Sequence, residues 1–98
     1  MSTTPKRLTA LQEEIIDTLA NDYEDLQQIQ GMLDHPVPVD QLTSALWGLV
    51  EEGYIACYQP TKTEMKLVAQ PDRQGLNSYW FALTKRGEQL LQTLEGVQ

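Results

Sequence analysis

Residues 38–58 read PVDQLTSALWGLVEEGYIACY, and the fold turns on how this stretch is parsed. Val39-Asp40-Gln41 opens a helix in which Leu42, Ala45, Leu46 and Leu49 recur at helical spacing and form one apolar stripe. Glu52-Gly53 ends it, because glycine takes the left-handed conformation that a helix C-terminus often needs. Tyr54-Ile55-Ala56-Cys57-Tyr58 follows at once as a β-prone run, bounded by Pro60. A helix therefore runs through a tight glycine turn straight into a strand.

Working outward, Leu8, Leu11, Ile15 and Leu19 recur at three- and four-residue steps with Ile16 beside them, predicting an amphipathic helix over Leu8 to Ala20. Its cap is Thr9 or Thr4, and the sequence leaves both open. Met1 to Arg7 reads as a loose polar arm. Asn21-Asp22 breaks the pattern, and a second short helix is expected to carry Tyr23, Leu26, Ile29 and Leu33 inward. Gly31 weakens that helix by about 1 kcal/mol relative to alanine. Asp34-His35-Pro36-Val37-Pro38 must be extended, since each proline disfavours helix in the residue before it.

Beyond the central strand, Gln59 to Ser78 is polar and holds Pro60, Pro71 and Gly75, with room for a strand at Met65-Lys66-Leu67-Val68-Ala69. Ser78 to Leu83 is the expected partner strand, with Tyr79, Phe81 and Leu83 on one face and Trp80 and Ala82 on the other. Thr84 suits an N-cap, and Leu90, Leu91 and Leu94 mark a last short helix.

The 98 residues make one domain, residues 1–98, and the 41% hydrophobic and 21% charged composition is that of an ordinary globule. No apolar run approaches the ~18–20 residues of a membrane span, and no apolar signal region opens the chain. The single cysteine, Cys57, allows no internal disulfide, so a reducing cytoplasm is the expected location. Charge is segregated. From Leu8 through Thr61 there are ten acidic residues and no Lys or Arg, while all seven basic residues lie outside that block. A nucleic-acid binder is expected to be basic where it meets phosphate, and the helical half is the reverse.

Two motifs carry a family resemblance. ALWGLVEEGYI (Ala45 to Ile55) followed by YWFALTKRGEQLL (Tyr79 to Leu91) resembles the winged helix-turn-helix transcriptional regulators of the PadR and MarR kind, from Leu11 onward. Those proteins commonly show a leucine-patterned recognition helix ending in Glu-Gly-aliphatic, and a wing strand ending in aromatic-x-Leu-Thr-x-x-Gly. Here the second signature is Phe81-Ala82-Leu83-Thr84-Lys85-Arg86-Gly87. The resemblance implies an α+β winged helix-turn-helix: a three-helix core, a β-hairpin wing and a short C-terminal helix. It also implies a DNA-binding transcriptional regulator acting as a homodimer on double-stranded DNA.

Advancing ~100° per residue from the leucine stripe sets Asp40, Ser44, Trp47 and Glu51 opposite the core, with Gln41, Thr43 and Gly48 at the flanks. Gln41, Thr43 and Ser44 have the side chains to bond base edges, and Lys62, Lys66 and Arg73 match a basic wing that holds phosphate. Asp40 and Glu51 carry the wrong sign for that role. A protein-interaction module is the alternative: the acidic helical face meets a basic partner without DNA, with Trp47 as anchor beside Asp40 and Glu51. No membrane partner is expected.

His35 and Cys57 are each the only one of their kind. A zinc site takes about four clustered ligands, and a Cys/His pair needs a third group to orient its base. Neither constellation is visible, nor is any phosphate loop or nucleophile elbow. The expectation is no catalytic residue, no metal and no cofactor.

Overall fold

The leucine stripe of residues 42–49 becomes the centre of the core. In a computed structural model, which describes residues 8–96, Leu42, Leu46 and Leu49 have no solvent exposure. Ile15, Ile16, Ile29 and Phe81 share that core with them. The elements are α1 (Ala10–Thr18), β1 (Glu24–Asp25), α2 (Leu26–Met32), α3 (Val39–Glu51), β2 (Ile55–Pro60), β3 (Met65–Leu67), β4 (Trp80–Leu83) and α4 (Lys85–Gly96). A short 3-10 helix, Arg73–Ser78, precedes β4. The result is an α+β domain with one four-stranded antiparallel sheet in the order β1-β4-β2-β3.

Local chemistry explains where each helix starts. Thr9 caps α1 with a capping box: its hydroxyl accepts the Gln12 N–H at 3.1 Å, and Gln12 Oε1 accepts the Thr9 N–H at 3.0 Å. That decides between the two threonines. The helix is shorter at both ends than the expected Leu8 to Ala20. Thr4 and the Met1 to Arg7 arm lie outside the described residues.

Asp25 builds the same reciprocal cap with Gln28 at the head of α2. A cap residue needs extended backbone, and Asp25 has φ −90° and ψ 176°. Helix therefore cannot begin at Tyr23. Residues 24–25 extend instead as β1, Glu24 opposite Phe81 and Asp25 opposite Trp80. This corrects the expected inward Tyr23, which is 37% exposed, while Leu26, Ile29 and Leu33 are buried as expected.

The glycine turn after α3 has a physical basis. Gly53 has φ 80°, the Tyr54 N–H donates to Leu49 O at 3.0 Å and the Gly53 N–H donates to Val50 O at 3.1 Å. These bonds satisfy carbonyls that the helix end leaves free. β2 then alternates: Ile55 and Cys57 are buried, and Cys57 lies opposite the buried Phe81 of β4. Pro60 is the last residue of β2 instead of lying beyond it.

α4 locks onto this turn. The Thr84 hydroxyl accepts the Gly87 N–H at 3.1 Å and lies 2.5 Å from Gly53 O and 3.1 Å from Tyr54 O. A β-carbon on Gly87 would collide with the Tyr54 carbonyl. Thr-Lys-Arg-Gly is thus a cap followed by a glycine that permits helix and strand backbones to touch.

Between β2 and β4 the chain does more than make one hairpin. β3 pairs with the far end of β2, Tyr58 opposite Leu67 and Pro60 opposite Met65, around a turn in which Thr61 and Glu64 bond each other. The expected strand to Ala69 stops at Leu67. The chain then returns through Arg73–Ser78, pinned by Leu76, which is buried. No helix among the described residues is long and apolar enough to cross a membrane.

Candidate nucleic-acid interface

The solvent side of α3 is its first half. Val39, Asp40, Gln41 and Ser44 are exposed there, and Thr43 is half-buried with its hydroxyl donating to Asp40 O at 3.1 Å. Next to it lies the Arg73–Ser78 segment. Asp72 caps that segment, its Oδ1 accepting the Gln74 N–H at 3.0 Å, and the Asp72 N–H donates to the Tyr79 hydroxyl at 3.0 Å. With Leu76 sunk into the core, the segment stands as one wall of a cleft of about 300 Å³; Thr43 and Val39 form the other. Arg73, Gln74 and Asn77 line it.

The structure therefore brings Thr43 together with Arg73. It places the other sequence-selected basic residues on a separate feature: Lys62 in the β2–β3 turn and Lys66 on β3 opposite Gln59, both exposed. Gln41 and Ser44 flank the cleft on α3 without lining it, and Glu51 is exposed at the far end of the helix. Gln74 and Asn77 were not singled out from the sequence. Their signal is faint: Leu76 is a lone apolar residue in a polar stretch, preceded by an Asp that caps.

One expected outward position of α3, Trp47, is corrected, and one flanking position, Gly48, is turned inward. Trp47 is half-buried and packs against the core cluster. Gly48 faces α1, where a β-carbon would approach Gln12 Nε2 to 2.8 Å; that same Nε2 donates to Ala45 O at 3.3 Å. For Gly48 the physical reason is width: α1 covers a broader arc of α3 than the leucine stripe alone, so the free face is narrower than periodicity suggests.

The acids have their own place. Glu13, Glu14 and Asp17 of α1, with Asp34 and Glu95, line a groove between α1 and α4 over Leu91 and Leu94. Glu14 accepts the Asp34 N–H at 2.6 Å, tying the α2–α3 connection to α1. No residue is shared between this groove and the Thr43–Arg73 cleft.

Arg86 is already engaged. It stacks 4.6 Å from the Tyr54 ring centroid, donates to the Tyr54 hydroxyl at 3.3 Å and stands 4.0 Å from a Glu52 oxygen. Cys57 is buried, and desolvation pushes its thiol up to about 11, so it is an unreactive core residue at neutral pH. His35 lines an open groove of about 730 Å³ along the α2–α3 connection, beside Gln27 and Gln30. Among the described residues no three His, Cys, Asp or Glu side chains gather as a metal site requires. No family model, no curated protein and no solved structure matches the chain.

Proposed function

We propose that this chain is a winged-helix protein that binds double-stranded DNA as a homodimer and regulates transcription. The order of elements supports the fold: a helix, a short strand, two helices, then antiparallel strands with β4 between β1 and β2. α3 is the recognition helix in this reading, and the β2–β3 hairpin with the Arg73–Ser78 segment is the wing. The observation that carries the function is the cleft in which Thr43 of α3 and Arg73 face one volume, with five acidic residues lining a separate groove. Gln41, Thr43 and Ser44 read base edges, while Lys62, Lys66 and Arg73 hold phosphate.

Three phosphate contacts per protomer give a log–log salt slope of about −3, or about −6 for a dimer on a two-fold site. Fluorescence anisotropy on mixed duplex DNA, titrated from low to physiological salt, measures it directly. Lys66→Glu with Arg73→Glu should abolish the signal and leave the thermal melt unchanged, since both side chains are exposed. No saturable binding at low salt would overturn the reading.

The acidic groove favours a second reading, a protein-interaction module whose carboxylates meet a basic partner over Leu91 and Leu94. Trp47 and the exposed Asp40 and Glu51 of α3 contribute less to that reading, because Trp47 is packed against the core. In that case Glu13→Lys with Asp17→Lys loses the partner, while the Lys66 and Arg73 reversals leave it bound.

A further inference from the structure

Tyr23, expected in the core, stands instead beside Tyr58 of β2, their ring centroids 5.0 Å apart and their planes at 82°. Rings so disposed make a corner, and a group lodged in it meets both π faces. The corner opens on a groove of about 260 Å³ whose lining includes Leu19, Leu83 and the carboxylate residues Asp22 and Glu88. No lysine or arginine among the described residues lines it. The one ion pair among the described residues is Arg86 with Glu52, so neither carboxylate has a cationic partner there. One oxygen of Asp22 accepts the Tyr23 N–H at 2.7 Å, leaving the other free.

Two electron-rich ring faces, two carboxylates with no cationic partner among the described residues, and Leu19 and Leu83 in an otherwise polar groove favour one chemistry. Ring quadrupoles attract cations, and alkylated ammonium ions combine charge with an apolar shell that is cheap to desolvate. A metal ion would find too few oxygens here, and an anion would be repelled. The groove lies below the ~300–1,000 Å³ of drug-sized pockets, which suits a small cationic head and not an extended ligand. Burial, with the neighbouring Tyr23, raises the Tyr58 phenol above its ordinary value, so that ring stays neutral at physiological pH.

We propose that the Tyr23–Tyr58 corner binds a small organic ammonium ion of the choline type, its methyl groups against the rings and its charge answered by Asp22 and Glu88. This site is independent of the DNA reading and shares no residue with the Thr43–Arg73 cleft.

The test is NMR of the tyrosine ring resonances in the full chain, titrated with choline chloride against matched sodium chloride. The neutral isostere 3,3-dimethyl-1-butanol serves as the second arm. Saturable millimolar shifts at Tyr23 and Tyr58 with choline, and none with the alcohol, are expected. Tyr23→Leu removes one exposed ring and should weaken binding about fivefold; Glu88→Gln should weaken it as well, both with circular dichroism unchanged. Ring resonances unmoved through about 50 mM choline would overturn the proposal. Equal shifts with the alcohol, or unaltered affinity in both variants, would do the same.

Discussion

Gly53–Tyr54 and Thr84–Gly87 meet across the start of β2 through backbone carbonyls, one hydroxyl and a glycine that lets two main chains touch. After β3 the chain, residues 68–79, leaves the same sheet and returns to it at β4, and its return is fixed chiefly by the side chain of Leu76 and the Asp72–Tyr79 bond. A junction built from backbone contacts tolerates almost no change of residue type. A segment held by one apolar plug and a few polar bonds can vary around the plug. The candidate site draws α3 from the first kind of architecture and the Arg73–Ser78 segment from the second.

The sharpest way to break the contrast is Gly87→Ala. Its new methyl meets a backbone carbonyl that cannot rotate away, so a loss of roughly 4 kcal/mol or more is expected in urea unfolding. A loss below ~1 kcal/mol would mean that α4 is free to shift on the sheet. Leu76→Ala comes next, at about 2–4 kcal/mol. Its amides at 73–78 should exchange with solvent while those of α3 stay protected; uniform loss of protection would make the excursion part of the core. The smallest effect is Thr84→Ala, at about 1–2 kcal/mol for a lost cap. Thr84→Ser should restore most of it, because the hydroxyl makes the bonds.

The same contrast governs what could be read from the sequence. The leucine stripe of α3, the Gly53 turn and the Thr84 cap were legible because each follows from one residue type in a local pattern. Strand β1 was not: two residues carry no period, and the capping role of Asp25 forces their extension only in concert with Gln28. The Arg73–Ser78 segment was hidden because Leu76 is a single apolar residue without a repeat. Of the site, Thr43 and Arg73 were nameable by type, but their sharing a cleft is a tertiary fact, and Gln74 and Asn77 depend wholly on it. Trp47 was set outward because helical angles locate a stripe without saying which neighbours cover the rest of the helix.

The sheet order has a consequence for how copies of this chain meet. Its outer strands are β1, two residues long and made of Glu24 and Asp25, and β3, three residues long with Lys66 at its middle. Short, charged borders offer little template for another chain's strand, even though Leu67 is 56% exposed. Continuous stacking of sheets into fibres is thereby discouraged at both ends. Pairing of copies through the sheet edges is disfavoured, and a crowded solution of the protein should remain clear.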